Sequence, residues 1–136
     1  MFMEFSVGLG RNERIDEIAG HAQVAEQSGF SHLAFVDQPH VSRDMYVMMA
    51  IAAMSTSRIQ IGQGVTDPIT YHPSVTANTT ATINELSGGR AFLGIGTGGP
   101  FGKEMKPRPL SELREVIEFI RKYAEGQEAE VRGARM

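Results

Sequence analysis

The chain has 136 residues, a length that fits one domain, with 41% hydrophobic and 21% charged residues and a formal net charge of −3. That charge gives no electrostatic case for binding nucleic acid or an anionic membrane surface, and the Lys and Arg residues form no run. The absence of cysteine excludes disulfides, thiolate metal sites and a cysteine nucleophile.

The first residues, MFMEFSVGLG, place Glu4 early and carry no basic leader, so they do not read as a signal peptide. No apolar run approaches the ~20 residues of a membrane span. A cytoplasmic location is the expectation. Phe2 to Leu9 reads as a short buried strand closing on Gly8 and Gly10. Asn12 is placed to cap a first helix, whose stripe is Ile15, Ile18, Ala19, Ala22, Ala25 and Glu26, apolar until its last member. Gly29 suits the left-handed position after that helix, with Phe30 as the accompanying hydrophobic contact. His32 to Val36 is the second strand, and Pro39 in Asp37-Gln38-Pro39-His40 stops its ladder.

A second helix is expected from Asp44 to Met54, with Met45, Met48, Met49, Ala52 and Ala53 on its apolar face. Arg58 to Val65 is the third strand. Thr66 to Pro73 forms a loop, with Pro73 at the first position of a third helix. Val75, Thr79, Ile83 and Leu86 space that helix, and Gly88-Gly89 ends it. Ala91 to Gly96 is the fourth strand. A proline-bearing loop follows, then a last helix capped by Ser111, with Leu113, Val116, Ile117, Ile120 and Tyr123 as its stripe. Glu112 and Glu115 fall in its first turn, where the helix dipole favours negative charge. The final EAEVRGARM reads as the start of another element.

The order βαβαβαβα predicts a parallel sheet with crossover helices. Four βα units are too few for a closed (β/α)8 barrel of about 250 residues. They make either a small open sheet or the first half of a barrel. The expectation is a half-barrel over residues 1–136, truncated at its carboxyl end. Its two unpaired sheet edges invite association, so a homo-oligomer is expected.

Both glycine-rich loops follow the carboxyl ends of strands, where βα folds hold ligands. Gly94-Ile95-Gly96-Thr97-Gly98-Gly99 formally matches GxGxxG. A dinucleotide site needs a helix opening within those glycines, whereas Pro100, Phe101 and Gly102 follow here. A glycine loop lying close to a flat ring fits better, since no Cβ keeps backbone N–H groups from a ligand. Gly102-Lys103 fails as a phosphate loop, because Glu104 stands where a Ser or Thr belongs. Asp37 either fixes a polar ligand group or forms a strand-end turn. His40 lines the mouth of a site or lies in a solvated loop. In the third loop, Tyr71 is placed to stack on a ring, and His72-Pro73 reads as packing at a helix start. Four isolated histidines show no metal-ligand spacing. The methionines at 45, 48, 49 and 54 read as core filler. Ser55, Thr56 and Ser57 lack a nucleophile-elbow pattern, which removes a hydrolase.

The stretches AEQSGFSHLAFVDQPH, DMYVMMAIAAMSTSRIQIGQGVTDPITYHPSVTA and ELSGGRAFLGIGTGG resemble the luciferase-like monooxygenase superfamily. The likeness is nearer to its deazaflavin branch, the coenzyme F420-dependent reductases of the methylenetetrahydromethanopterin reductase type. The resemblance implies the amino-terminal half of a (β/α)8 barrel that holds a flavin or deazaflavin ring at the strand carboxyl ends. It implies a non-proline cis peptide at Gly64-Val65. It gives Gly64, Val65, Thr66, Gly96, Thr97 and Gly98 to the coenzyme, and gives Asp37 and Gln38 the task of orienting ring or substrate. Gln38 departs from the family's histidine and cannot shuttle a proton near neutral pH. Gly99 stands where some members carry an acid. Hydride transfer needs only an oriented ring and survives both differences. The implied activity is hydride transfer between coenzyme F420 and a small-molecule substrate. An FMN-dependent monooxygenase and a non-catalytic half-barrel are the alternatives.

Overall fold

The computed structural model describes residues 3–99 and 106–135. Four strands, β1 (Ser6–Leu9), β2 (His32–Phe35), β3 (Gln60–Thr66) and β4 (Ala91–Ile95), form one sheet in the order β1-β2-β3-β4. All three pairings are parallel. Helices α1 (Ile18–Gln27), α2 (Met45–Ser55) and α3 (Pro73–Leu86) connect them, and α4 (Leu110–Ala124) follows β4. This is the half-barrel arrangement that the alternating pattern predicts. A short antiparallel hairpin, β5 (Glu130–Val131) and β6 (Ala134–Arg135), is the element that EAEVRGARM begins. Its turn uses Arg132 at φ 53° and Gly133 at φ 76°, the left-handed pair that suits a two-residue hairpin.

The helix-facing side of the sheet is apolar at alternate positions, as strand geometry requires. Leu33, Phe35 and Ile61 are fully buried there against Ile18 and Ala22 of α1 and Met45, Met48, Met49 and Ala52 of α2. A second cluster joins Ala77 of α3 to Val116, Phe119 and Ile120 of α4 and to Val131 of the hairpin. Met54 does not belong to the core: it is 76% exposed. It lies two turns after the exposed Val47, on the face of α2 turned from the sheet.

Several boundaries differ from expectation for local reasons. Asn12 does not cap α1, which begins at Ile18 with Glu17 as its N-cap. The Glu13 carboxylate accepts the backbone N–H groups of Gly10 (2.8 Å) and Asn12 (3.1 Å), which folds that stretch into a loop and leaves Ile15 exposed. The cap of α4 is Pro109 rather than Ser111, and Glu112 is the acidic residue of its first turn. Asp44 does cap α2, accepting from the Val47 N–H at 3.0 Å, and Pro73 opens α3. Gly29 adopts φ 83° after α1.

Two charged side chains fasten the amino-terminal end of the sheet. Glu26 accepts the N–H groups of Ser57 (3.0 Å), Arg58 (2.6 Å) and Ile59 (2.9 Å). Burial opposes its charge, but those backbone donors outweigh the penalty and hold its pKa at about 2. Arg90 donates to the carbonyls of Ala53 (2.9 Å), Thr56 (3.0 Å) and Ile59 (2.8 Å). Together they lock the α2–β3 connection at the end opposite the ligand-facing loops. Among the described residues no helix is long and apolar enough to cross a membrane.

Candidate active site at the strand carboxyl ends

Parallel strands bring all their carboxyl ends to one rim, and a cavity of about 860 Å³ opens there. It gathers the residues that the resemblance gives to coenzyme or substrate: Asp37 and Gln38 after β2, Gly64, Val65 and Thr66 at the end of β3, and Gly96, Thr97 and Gly98 after β4. His40, Asp67 and Gly99 also line it.

The shape of this rim follows from an irregularity in β3. Gln63 pairs with Leu93 and Thr66 with Ile95, so β3 carries one residue more than β4 over that span. The Gly64-Val65 peptide within it is cis, as the resemblance implies. The extra residue changes the alternation of faces. Gln63 and Thr66, three apart, are both fully buried, while Val65 between them is 54% exposed in the cavity wall. Gly64 fits because nothing larger would: a Cβ there would stand 2.6 Å from the Ala34 Cβ. At Gly98 the φ of 87° and a close approach to Ile69 exclude a side chain on two grounds. The Gly96 N–H donates to the Thr66 carbonyl at 2.9 Å, tying the two glycine loops together.

Asp37 continues the buried face of β2 and is 4% exposed. The Thr66 hydroxyl donates to its Oδ2 at 2.6 Å. Burial pushes the carboxyl pKa up, the Thr66 hydrogen bond opposes this, and the nearby Asp67 and Asp44 add to the rise. The pair Asp37–Thr66 therefore links the ends of β2 and β3 directly beneath the exposed Val65.

Asp67 is occupied in building its own loop, since its Oδ1 accepts from the N–H groups of Ile69 (2.7 Å) and Thr70 (2.8 Å). Tyr71 is not in the cavity wall. Its ring packs on Tyr46, centroids 5.3 Å apart, and burial together with Asp37 and Asp44 pushes its hydroxyl pKa up to about 12. His72 serves the start of α3, with Nδ1 accepting from the Ser74 N–H at 3.3 Å. The dinucleotide reading of the glycine run fails, because the next helix among the described residues starts at Leu110. Pro100, Phe101, Gly102, Lys103 and Glu104, on which the phosphate-loop comparison turned, lie outside the described residues.

Sequence reasoning missed Arg11. It lines the cavity from the loop after β1, and its Nε donates to Gln38 Oε1 at 3.3 Å. Arginine only donates, so the Gln38 amide oxygen faces it and the amide N–H groups turn away. The available signal was position alone, since Arg11 directly follows the glycine that ends β1.

A parallel half-barrel with glycine loops, an exposed apolar bulge and buried polar supports at its carboxyl rim defines a ligand-binding (β/α) scaffold. The family model for luciferase-like monooxygenases matches residues 1–136, and the chain belongs to that family. The chain is 37% identical over 129 residues to 5,10-methylenetetrahydromethanopterin reductase of Archaeoglobus fulgidus, covering 92% of this chain and 39% of that protein. The solved coenzyme F420-dependent tetrahydromethanopterin reductase of Methanopyrus kandleri is 33% identical. It superimposes with a TM-score of 0.81 over 90% of this chain and 40% of that one. The oxygenating constituent of 3,6-diketocamphane monooxygenase from Pseudomonas putida, solved with FMN, shares the fold at 20% identity and a TM-score of 0.77. That match covers all of this chain and 44% of the other. The chain thus spans about two fifths of the length of the relatives it matches.

Proposed function

We propose that the chain supplies the coenzyme-binding face of an oxidoreductase that moves hydride between coenzyme F420 and a small organic substrate. One observation carries this reading: Val65 stands half-exposed in the cavity wall, flanked by Gly64 and by the glycine loop Gly96–Gly98. An apolar side chain on a bulge, with glycine backbone beside it, suits the face of a flat tricyclic ring. The neighbouring main chain can meet the ring's polar edge. The residues present therefore fit a flavin or deazaflavin.

The bound coenzyme supplies the hydride-carrying carbon; the protein supplies position and electrostatics. In this reading Gln38 presents its amide N–H groups to ring or substrate. Asp37 acts as a positioning residue, holding Thr66 and hence the Val65 wall. The reductase relatives, one of them F420-dependent by description, favour F420 over FMN. FMN is the second reading, supported by a shared fold with an FMN-bound monooxygenase. Homo-oligomeric assembly belongs to the same proposal, since among the described residues β1 and β4 have no strand on their outer edges.

Fluorescence titration of the intact protein with F420 and, separately, with FMN tests the reading. Saturable binding of F420, lost on Val65→Asp and tighter than FMN, is the expected result. Binding of neither at high micromolar concentration rejects it.

A further inference from the structure

A second cavity of about 390 Å³ adjoins the first. It is built by the loops after β1 and β2, and Arg11, Asn12, His40 and Val41 line both spaces, so the two share a wall. Arg43 also lines it. Glu13 is the only acidic residue in the lining among the described residues, and its Oε2 is taken by the backbone N–H groups of Gly10 and Asn12. Neither Arg11 nor Arg43 makes an ion pair among the described residues, in contrast to Arg14 with Asp16 and Arg132 with Glu112, each at 2.9 Å or less. Arg11 is instead tethered through one N–H to the neutral Gln38 amide. The contact orients the guanidinium towards Gln38 without pairing it with a carboxylate.

We propose that this side cavity is an anion subsite that selects a substrate carrying a carboxylate or phosphate group. It rests on the reading of the main cavity as the coenzyme site and adds a substrate class to it. A guanidinium presents paired N–H donors that match either oxyanion, and Arg43 places a second guanidinium-bearing residue in the same lining. Because Arg11 also holds Gln38, an anion bound here couples substrate recognition to the amide that faces the ring. The anion would sit beside the ring position rather than over it, leaving the Val65 wall to the coenzyme.

The test is a titration of the isotopically labelled protein with inorganic phosphate at constant ionic strength, followed by two-dimensional NMR that includes arginine Nε–H signals. The expected result is saturable shifts at Arg11, Asn12 and Arg43. The double variant Arg11→Met/Arg43→Met should weaken that binding at least about tenfold, whereas Arg58→Met should not. Non-saturating shifts, or shifts spread equally over Arg14, Arg58 and Arg121, overturn the subsite. The titration is repeated with F420, or FMN, bound. Phosphate shifts that persist support the substrate assignment. Phosphate expelled by the coenzyme overturns it and gives the cavity to the coenzyme's own phosphate. An arginine-dependent phosphate site in a protein that binds neither coenzyme supports the subsite while refuting the coenzyme reading. Loss of the phosphate site in a protein that binds F420 refutes the subsite alone.

Discussion

Thr66→Val isolates the contact that supports the proposed coenzyme wall. The two side chains have nearly the same shape, so no cavity opens, but the hydroxyl that donates to Asp37 at 2.6 Å disappears. Both residues are buried, at 0% and 4% exposure, and water cannot readily replace the lost donor. A hydrogen bond to a charged group contributes about 1.5–3 kcal/mol, so a loss near 2 kcal/mol is expected where Asp37 is ionised. In a chain of 136 residues that corresponds to a fall of roughly 6–10 °C in Tm. The sign of the pH dependence follows from the direction of the Asp37 shift. Its folded pKa lies above the ordinary 3.8. Ionising Asp37 therefore costs no stability below 3.8, and costs progressively more as pH rises from there through the folded pKa. Removing the donor deepens that cost, so the Thr66→Val penalty should be smallest at acid pH and largest above the folded pKa of Asp37. Urea unfolding of the four proteins in a cycle with Asp37→Asn measures it. In the Asp37→Asn background the Thr66→Val penalty should drop to about 1 kcal/mol, the value of a neutral bond. A penalty that is independent of pH and equal in both backgrounds would refute the argument.

Three further outcomes follow from the same geometry. Gly64→Ala sets a methyl 2.6 Å from the Ala34 Cβ; overpacking of this kind costs about 1–3 kcal/mol and should weaken coenzyme binding, and Ala34→Gly in the same chain should restore both in a fluorescence titration and a thermal melt. Glu26→Ala removes the acceptor for three backbone N–H groups and should cost about 1–2 kcal/mol after discounting for its solvent contact. Because the folded Glu26 pKa is depressed from 4.5 to about 2, its contribution is complete above 4.5 and fades as pH falls towards 2, so wild type and variant should converge in acid unfolding curves. Arg11→Met should leave the melting temperature nearly unchanged, since Arg11 makes one exposed contact, yet raise KM for an anionic substrate; an unchanged KM removes Arg11 from recognition.

The order of elements was legible because each strand and helix carries its own periodicity, and because Gly29, Pro73 and Gly88-Gly89 punctuate the chain with local chemistry. The rim was legible because a parallel sheet leaves no choice about where its loops gather. The errors share a different cause. Asn12 reads as a cap, but Glu13, one residue later, accepts the N–H groups of Gly10 and Asn12 and holds that stretch in a loop ahead of α1. Glu26 and Arg90 carry no motif because their partners are main-chain groups far away in sequence, identical in every residue type. Arg11 meets Gln38 across 27 residues, a separation set by the sheet register and by nothing local.

The bulge in β3 joins the legible and the illegible parts. Strict alternation would put Val65 on the same buried face as Gln63, and would turn Thr66 to the opposite face, away from Asp37. The extra residue reverses that parity, so Thr66 turns inward to the carboxyl of Asp37 and Val65 turns outward into the cavity. The ligand-facing wall and its buried support are thus consecutive residues of one strand. In the proposed coenzyme reading, Asp37 would act on the ring only through Thr66 and Val65. A substitution at Asp37 that keeps the Thr66 hydrogen bond, as asparagine does, should leave coenzyme affinity near wild type, whereas Asp37→Leu should release Val65 and weaken it. Equal affinity for F420 in Asp37→Leu and wild type would separate the wall from its support and contradict this account.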